Sequence, residues 1–268
     1  MLRYKRVLLK LSGEVLAGKG GAGEPCPTEF ERLQTSALNF EAVHRIGKEI
    51  AAVHNAGIEL SMVVGGGNLL RGKEIEKLGL ERAQADYMGM LGTVINALAL
   101  QCVLEQSGIE TRVQTAIEMR AVAEPYIRRR ALRHIEKGRV VIFAAGTGSP
   151  YFSTDTTAAL RAAEMNVDCM VKGTKVDGVY DDDPNKNPSA KLLPEVTYQE
   201  ALSRNLKVMD GSAFSLCMEN RIPILVINIE KRDNLVSMLV NGERIGTIVH
   251  DAQGASSPRY PSEIPLMG

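Results

Sequence analysis

A lysine inside an apolar strand is the first residue that suggests chemistry. Lys10 lies in Val7-Leu-Leu-Lys-Leu11, directly before Ser12-Gly13. An ammonium group there is costly unless it faces an anion or reaches the strand end. A second apolar run reaches Val64 and breaks into Gly65-Gly-Gly-Asn68, with Arg71 close behind. Glycines let backbone N–H groups approach an anion without a Cβ in the way, and a guanidinium fork suits phosphate. A third segment, Gly146-Thr-Gly-Ser-Pro-Tyr-Phe-Ser-Thr154, sets a Pro turn, aromatics and hydroxyls ahead of Asp155 at a helix start. Hydroxyls and the N–H groups of a helix start can hold an anion or a nucleobase edge. A fourth, Lys172-Gly-Thr-Lys-Val-Asp-Gly-Val-Tyr180, runs on into Asp181, Asp182 and Asp183. Glycine-rich or polar loops at strand ends in this number suit two phosphate groups.

Each feature has a plainer explanation when taken alone. Lys10 could snorkel from an edge strand. The glycine triplet could be a tight turn beside a surface arginine, and Ser153 or Thr154 an ordinary helix cap. The acidic run lacks EF-hand spacing and reads as a solvated loop. Two nucleotide patterns match only by letter. Gly13-Glu-Val-Leu-Ala-Gly18-Lys19 approaches a P-loop, but Gly20 stands where Ser or Thr would hold Mg²⁺. Gly18, Gly20 and Gly23 fit the dinucleotide spacing without a strand before them or a helix after them.

The elements that must position these loops alternate in type. Strands are predicted at Val7–Leu11, Ile58–Val64, near Arg112-Val113, and at Arg139–Ala145, Val167–Val171, Ile224–Ile229 and Ile245–Val249. Helices are predicted at Phe40–Asn55, Gln84–Gln106, Pro125–Glu136, Asp155–Glu164, Thr197–Arg204 and Ser212–Asn220. Phe40–Asn55 carries a helical stripe of Val43, Ile46, Ile50 and Val53, stopped by Gly57. The alternation predicts an α/β protein with a largely parallel sheet covered on both faces. Gly18–Asn39 reads as a loop or insertion, and the proline-containing tail from Asp251 as disordered.

With 268 residues the chain can form one large α/β domain or two small lobes. Lys+Arg and Asp+Glu both number 32, which excludes a generally basic coat for nucleic acid but not a local anion site. The absence of Trp argues against base-stacking platforms for single strands. Cys26, Cys102, Cys169 and Cys217 form no CxxC pair, and His44, His54, His134 and His250 have no metal-ligand spacing. No signal-peptide pattern and no membrane-spanning apolar run is read, so a cytoplasmic protein is expected.

Taken in series, Lys10-Leu-Ser-Gly-Glu14, Val63-Val-Gly-Gly-Gly-Asn-Leu-Leu-Arg-Gly72, Asp86-Tyr-Met-Gly-Met-Leu91, the Gly146–Asp155 segment, the Lys172–Pro184 segment and Leu206-Lys-Val-Met-Asp210 resemble the bacterial uridylate kinase family. The match runs in order from about residue 5 to 250. It implies an amino-acid kinase fold: a three-layer αβα sandwich with a central, mostly parallel sheet, formed as a single catalytic domain over residues 1–250 with a tail at 251–268. It also implies transfer of the ATP γ-phosphoryl group to UMP, in pyrimidine nucleotide biosynthesis, with Mg²⁺ accompanying ATP and no direct metal ligand assigned.

By position, Lys10, Leu11, Ser12, Gly13, Gly67 and Arg71 resemble the ATP-phosphate contacts, and Thr174, Tyr180 and Asp183 the adenosine pocket. Gly66, Asp86 and the run Thr147, Gly148, Ser149, Pro150, Tyr151, Phe152, Ser153 and Thr154 resemble the UMP site, with Asp86 on the ribose. Lys10, Arg71, Asp155, Lys172 and Asp210 are similar to the family's groups at the reacting phosphates. The resemblance further implies a homohexamer built as a trimer of dimers, GTP as activator and UTP as inhibitor, without nucleic-acid or membrane partners. Ser149 stands where Asn is common, and the Gly20–Asn39 stretch and the tail depart from the pattern. Within the same fold, a kinase for a carboxylate or carbamate substrate is the alternative; outside it, a non-catalytic nucleotide or oxyanion binder.

Overall fold

The computed structural model describes residues 2–17, 37–70, 79, 81–184 and 186–251. Arg71, Cys26, most of the Gly18–Asn39 stretch and the tail beyond Asp251 lie outside the described residues.

Nine strands form one sheet: β1 (Arg6–Leu11), β2 (Glu59–Val64), β3 (Thr111–Thr115), β4 (Glu124–Pro125), β5 (Val140–Ala144), β6 (Cys169–Thr174), β9 (Glu195–Thr197), β10 (Ile224–Asn228) and β11 (Thr247–His250). Their spatial order is β4-β3-β5-β2-β1-β6-β10-β11-β9, and every pairing except β10 with β11 is parallel. A separate hairpin joins β7 (Val179–Tyr180) to β8 (Leu192–Leu193). The helices are α1 (Phe40–Asn55), α2 (Arg82–Gln106), α3 (Arg128–Glu136), α4 (Thr154–Glu164), α5 (Tyr198–Ser203), α6 (Gly211–Glu219) and α7 (Asn234–Leu239).

Strand alternation divides the apolar residues into two layers. Val7, Leu9 and Leu11 of β1 join Leu60, Met62 and Val64 of β2 on the face covered by α1, α2 and α7. Leu8 and Val63 point the other way, into a layer completed by Ala158, Ala159 and Ala162 of α4 and Phe214 of α6. Both faces are covered, which gives the αβα sandwich. The small residues of α4 let its axis lie close over β1 and β2.

Several boundaries follow local chemistry. Asn39 caps α1 by accepting a hydrogen bond from Ala42 N–H at 2.9 Å, and Gly57 supplies the φ of +94° that turns the chain out of it. The expected helix at Pro125 is corrected: Glu124–Pro125 pairs with Gln114-Thr115 at the sheet edge, and α3 begins at Arg128. An edge strand tolerates proline's missing N–H. The last strand is Thr247–His250 and runs antiparallel to β10. The sequence reading lacks β9, α7 and the β7–β8 hairpin, which are too short for a periodic signal.

The expectation about apolar runs is also corrected. By length and composition α2 could cross a bilayer, although half of its most apolar stretch is buried. Its Ala97, Leu100 and Leu104 pack into the core beside the sheet, as in a helix of a globular interior.

Candidate active site

Parallel pairing places Lys10 beside Lys172, with Val63 on the other side of Lys10. Two adjacent ammonium groups repel, and the fold supplies one carboxylate for both. Asp155 Oδ1 is 2.7 Å from Lys10 Nζ, and Asp155 Oδ2 is 2.7 Å from Lys172 Nζ. All three side chains are largely buried, at 8%, 16% and 13% exposure for Lys10, Lys172 and Asp155. Lys10 Nζ also lies 3.2 Å from Ser12 Oγ, and Lys172 Nζ donates to Val208 C=O at 2.7 Å.

The electrostatics follow from this arrangement. Burial pushes the Asp155 carboxyl up, but Lys10 and Lys172 together outweigh it and hold the group below the usual carboxylate range. Burial also pushes Lys172 below its usual range, and the nearby Lys10 adds to that; Asp155 pulls it only part of the way back. Two ammonium groups share the Asp155 carboxylate, and the Asp210 charge also acts on Lys172.

Asp155 reaches this point because α4 starts there. Ser153 caps the helix by accepting from Thr156 N–H at 3.0 Å, and Asp155 in the first turn is favoured by the helix dipole. Asp210 plays a separate part. It caps α6 by accepting from Ala213 N–H at 2.9 Å, and it also accepts from Ser212, Thr156 and Ser153 hydroxyls. Although burial alone would raise it, these hydrogen bonds hold its carboxyl below the usual range. Asp210 thus ties α6 to the start of α4.

The glycine loop is a close backbone junction. Gly65 N–H donates to Leu11 C=O at 2.8 Å. A Cβ on Gly13 would stand 2.8 Å from both Gly65 O and Gly67 N, and one on Gly66 would stand 2.4 Å from Gly89 O of α2. Side chains longer than hydrogen would separate these segments. Asn96, fully buried on α2, donates to Gly65 C=O and to Asn68 Oδ1, both at 2.7 Å. Sequence reasoning missed Asn96; a lone amide within Val94-Ile-Asn-Ala-Leu98 was the available signal.

Beside the lysine pair lies a cleft of about 280 Å³, lined by Gly66, Gly67, Asp86, Phe152, Ser153 and Thr154 among others. Thr147, Gly148, Ser149 and Pro150 form the turn that leads to it, and Tyr151 is largely exposed at its edge. Arg82 also lines the cleft and was not anticipated; its signal was the one-turn spacing to Asp86. Leu11 contributes backbone only, since its side chain is buried in the core. Thr174 ends β6, Tyr180 lies in β7 and Asp183 in the following turn, along the segment beyond Lys172. His134 and His250 pair with Glu124 and Glu195. Among the described residues, no three His, Cys, Asp or Glu side chains converge as a metal site.

A parallel αβα sheet whose strand ends present glycine backbone, paired lysines and an adjacent cleft defines a phosphotransferase architecture. The chain belongs to the Amino acid kinase family, whose sequence model matches residues 5–228. It is similar to the UMP kinase of Bacillus anthracis, with 39% identity and a TM-score of 0.83 over 93% of this chain and 97% of that one. The UMP kinase of Ureaplasma parvum is 37% identical, with a TM-score of 0.83 over 93% of this chain and 100% of the other. The uridylate kinase of Archaeoglobus fulgidus is more distant, at 27% identity and a TM-score of 0.64, over 91% and 99%.

Proposed function

We propose that this chain transfers the γ-phosphoryl group of ATP to UMP, giving UDP and ADP. The observation that carries the reading is the pair Lys10 and Lys172 on one buried carboxylate, beside a cleft floored by Gly66 and Gly67. Similarity to UMP kinases over more than nine-tenths of the chain supports the acceptor's identity.

The attacking atom is a UMP phosphate oxygen, already ionised at neutral pH, so the site needs no strong general base. The task is alignment and charge neutralisation. Lys10 and Lys172 stabilise charge on the phosphoryl group in flight, and Asp155 holds both ammonium groups in place. Ser12, Gly13 and Gly67 offer hydroxyl and N–H donors to the ATP phosphates, with Arg71 between the nucleotides. Thr174, Tyr180 and Asp183 hold the adenosine. Asp86 accepts from the ribose hydroxyls of UMP, and the loop Thr147–Thr154 reads uracil. Asp210 keeps α6 and α4 in register at the centre.

Mg²⁺ binds through one or two carboxylates plus substrate phosphates and retains several waters, so it needs no protein cage. Asp155 and Asp210 supply hard oxygen donors at the centre, and such an ion would be held by the nucleotide with these carboxylates around it. It supplies charge neutralisation on the phosphates. The proposal includes one catalytic domain over residues 1–250, a homohexamer in the cytoplasm, activation by GTP and inhibition by UTP, in pyrimidine nucleotide biosynthesis.

The test is an ADP-release assay with UMP, CMP, acetylglutamate, and bicarbonate with ammonia as acceptors. Turnover with UMP far above the others is the expected result. Turnover with a carboxylate or carbamate acceptor instead, or with none, overturns it.

A further inference from the structure

The sugar-facing and base-facing parts of the acceptor cleft are joined by one side chain. Asp86 Oδ2 accepts a hydrogen bond from the Tyr151 N–H at 2.8 Å, 65 residues away in sequence. Its Oδ1 accepts from Arg82 Nε at 2.9 Å, one turn earlier on α2. The Arg82 guanidinium carbon lies 5.8 Å from the centre of the Tyr151 ring. Three groups from two elements thus form one unit at the mouth of the cleft.

Tyr151 is a non-glycine residue at φ +72°, and it is 67% exposed. Bulky residues avoid that region unless something holds them there. Packing around an exposed ring contributes little. The preceding turn closes on itself, Thr147 Oγ1 accepting from Ser149 N–H and donating to Ser149 C=O. Ala145 N–H ties the start of this connection to α2 by donating to Thr93 Oγ1 at 2.7 Å, and through Asp86 its far end is tied by the amide of Tyr151. Phe152, Ser153 and Thr154, all lining the cleft, follow it directly.

We propose that Asp86 couples recognition of the acceptor's sugar to recognition of its base, by anchoring the Tyr151 amide, and that Arg82 is a positioning residue that sets the carboxylate. This rests on the UMP kinase reading above. An ionised carboxylate has about four lone-pair sites. Arg82 and Tyr151 use two, and two remain for a pair of vicinal hydroxyls. When the carboxylate is removed, the sugar loses its partner and the far end of the loop loses its tether together.

The experiment measures kcat/KM for UMP, dUMP and CMP with the full-length enzyme and four variants: Asp86→Ala, Asp86→Asn, Arg82→Gln and the double variant Arg82→Gln/Asp86→Ala. Ratios between acceptors on one preparation do not depend on the fraction folded. Asp86→Ala should lower the UMP/dUMP ratio and also the UMP/CMP ratio, the latter by about 5- to 50-fold, as for a lost hydrogen bond to a carboxylate. Asp86→Asn keeps an oxygen for the Tyr151 N–H, so it should restore most of the UMP/CMP ratio but not the UMP/dUMP ratio. Arg82→Gln should raise KM for UMP about tenfold with kcat within about twofold, and should add nothing in the Asp86→Ala background. An Asp86→Ala enzyme that loses sugar discrimination alone overturns the coupling while leaving the UMP kinase reading intact. Independent, additive effects of Arg82→Gln overturn its positioning role. A wild-type enzyme without preference for UMP overturns the functional reading and the coupling with it.

Discussion

The two halves of the cleft are made of different material. The phosphoryl half stands on adjacent central strands. Lys10 and Lys172 are register partners within a parallel ladder, and their shared carboxylate is fixed by a capped helix. The acceptor half stands on loops: a glycine junction held by Asn96, and the β5–α4 connection held by Asp86. Charge that must meet a transition state is placed where the backbone cannot shift, because misplacement by an ångström removes the benefit of preorganisation. On the proposed function, selectivity falls to loop segments rather than to the sheet.

The sharpest way to break this division is to remove a cation from the rigid half. Lys10→Met should lower kcat by about 10²–10⁴, the range for a lost transition-state charge contact, with little change in KM for UMP. Steady-state kinetics at saturating ATP and UMP decide it; kcat near wild type would place the work elsewhere.

Asp155→Asn should have the next largest effect, lowering kcat by about 10–100-fold while KM for UMP holds. Its pH behaviour sharpens the comparison. Asp155 titrates lower in the folded protein than in the unfolded chain. Its contribution to stability is therefore complete above the unfolded carboxylate's pKa and is lost as pH falls through the folded value. Denaturation midpoints between pH 7 and pH 2 should show a shallower acid decline in the Asn variant. The same change removes the anion that holds Lys172 up. The alkaline limb of kcat should then move to lower pH; an unmoved limb would detach Lys172 from the rate.

On the loop half, Asn96→Ala takes the Asn96 donor away from Gly65 C=O and Asn68 Oδ1, while Asn68 Nδ2 keeps its bond to Ala37 C=O. A stability loss of about 1–3 kcal/mol is expected, with KM for UMP rising more than kcat falls. Chemical denaturation and kinetics on the same preparation separate the two effects. Smallest is Ser153→Ala, which removes the α4 cap and a donor to Asp210. It should cost about 1 kcal/mol, seen as a lower melting temperature with kcat reduced only a few-fold.

What the chain determined alone was local. Strands β1, β2, β5 and β10 are short apolar runs ended by glycine or polar residues, and α1 is marked by its apolar stripe and by Gly57, so their bounds were readable to within a residue or two. The glycine triplet and the out-of-place Lys10 were readable for the same reason: each violates a local preference, which the Asp155 carboxylate relieves for Lys10 and a close backbone junction explains for the glycines. Pro125 was misread because a helix start and a sheet edge tolerate proline equally well, and only pairing with Thr115 distinguishes them. Tertiary structure alone decided that Lys10 and Lys172 stand side by side, that one carboxylate serves both, and that Asp86 and Tyr151 meet. Those contacts join residues 162, 145 and 65 positions apart, in the case of Lys10 with Lys172, Lys10 with Asp155, and Asp86 with Tyr151. Strand order and helix packing set such distances, and no periodicity along the chain carries them.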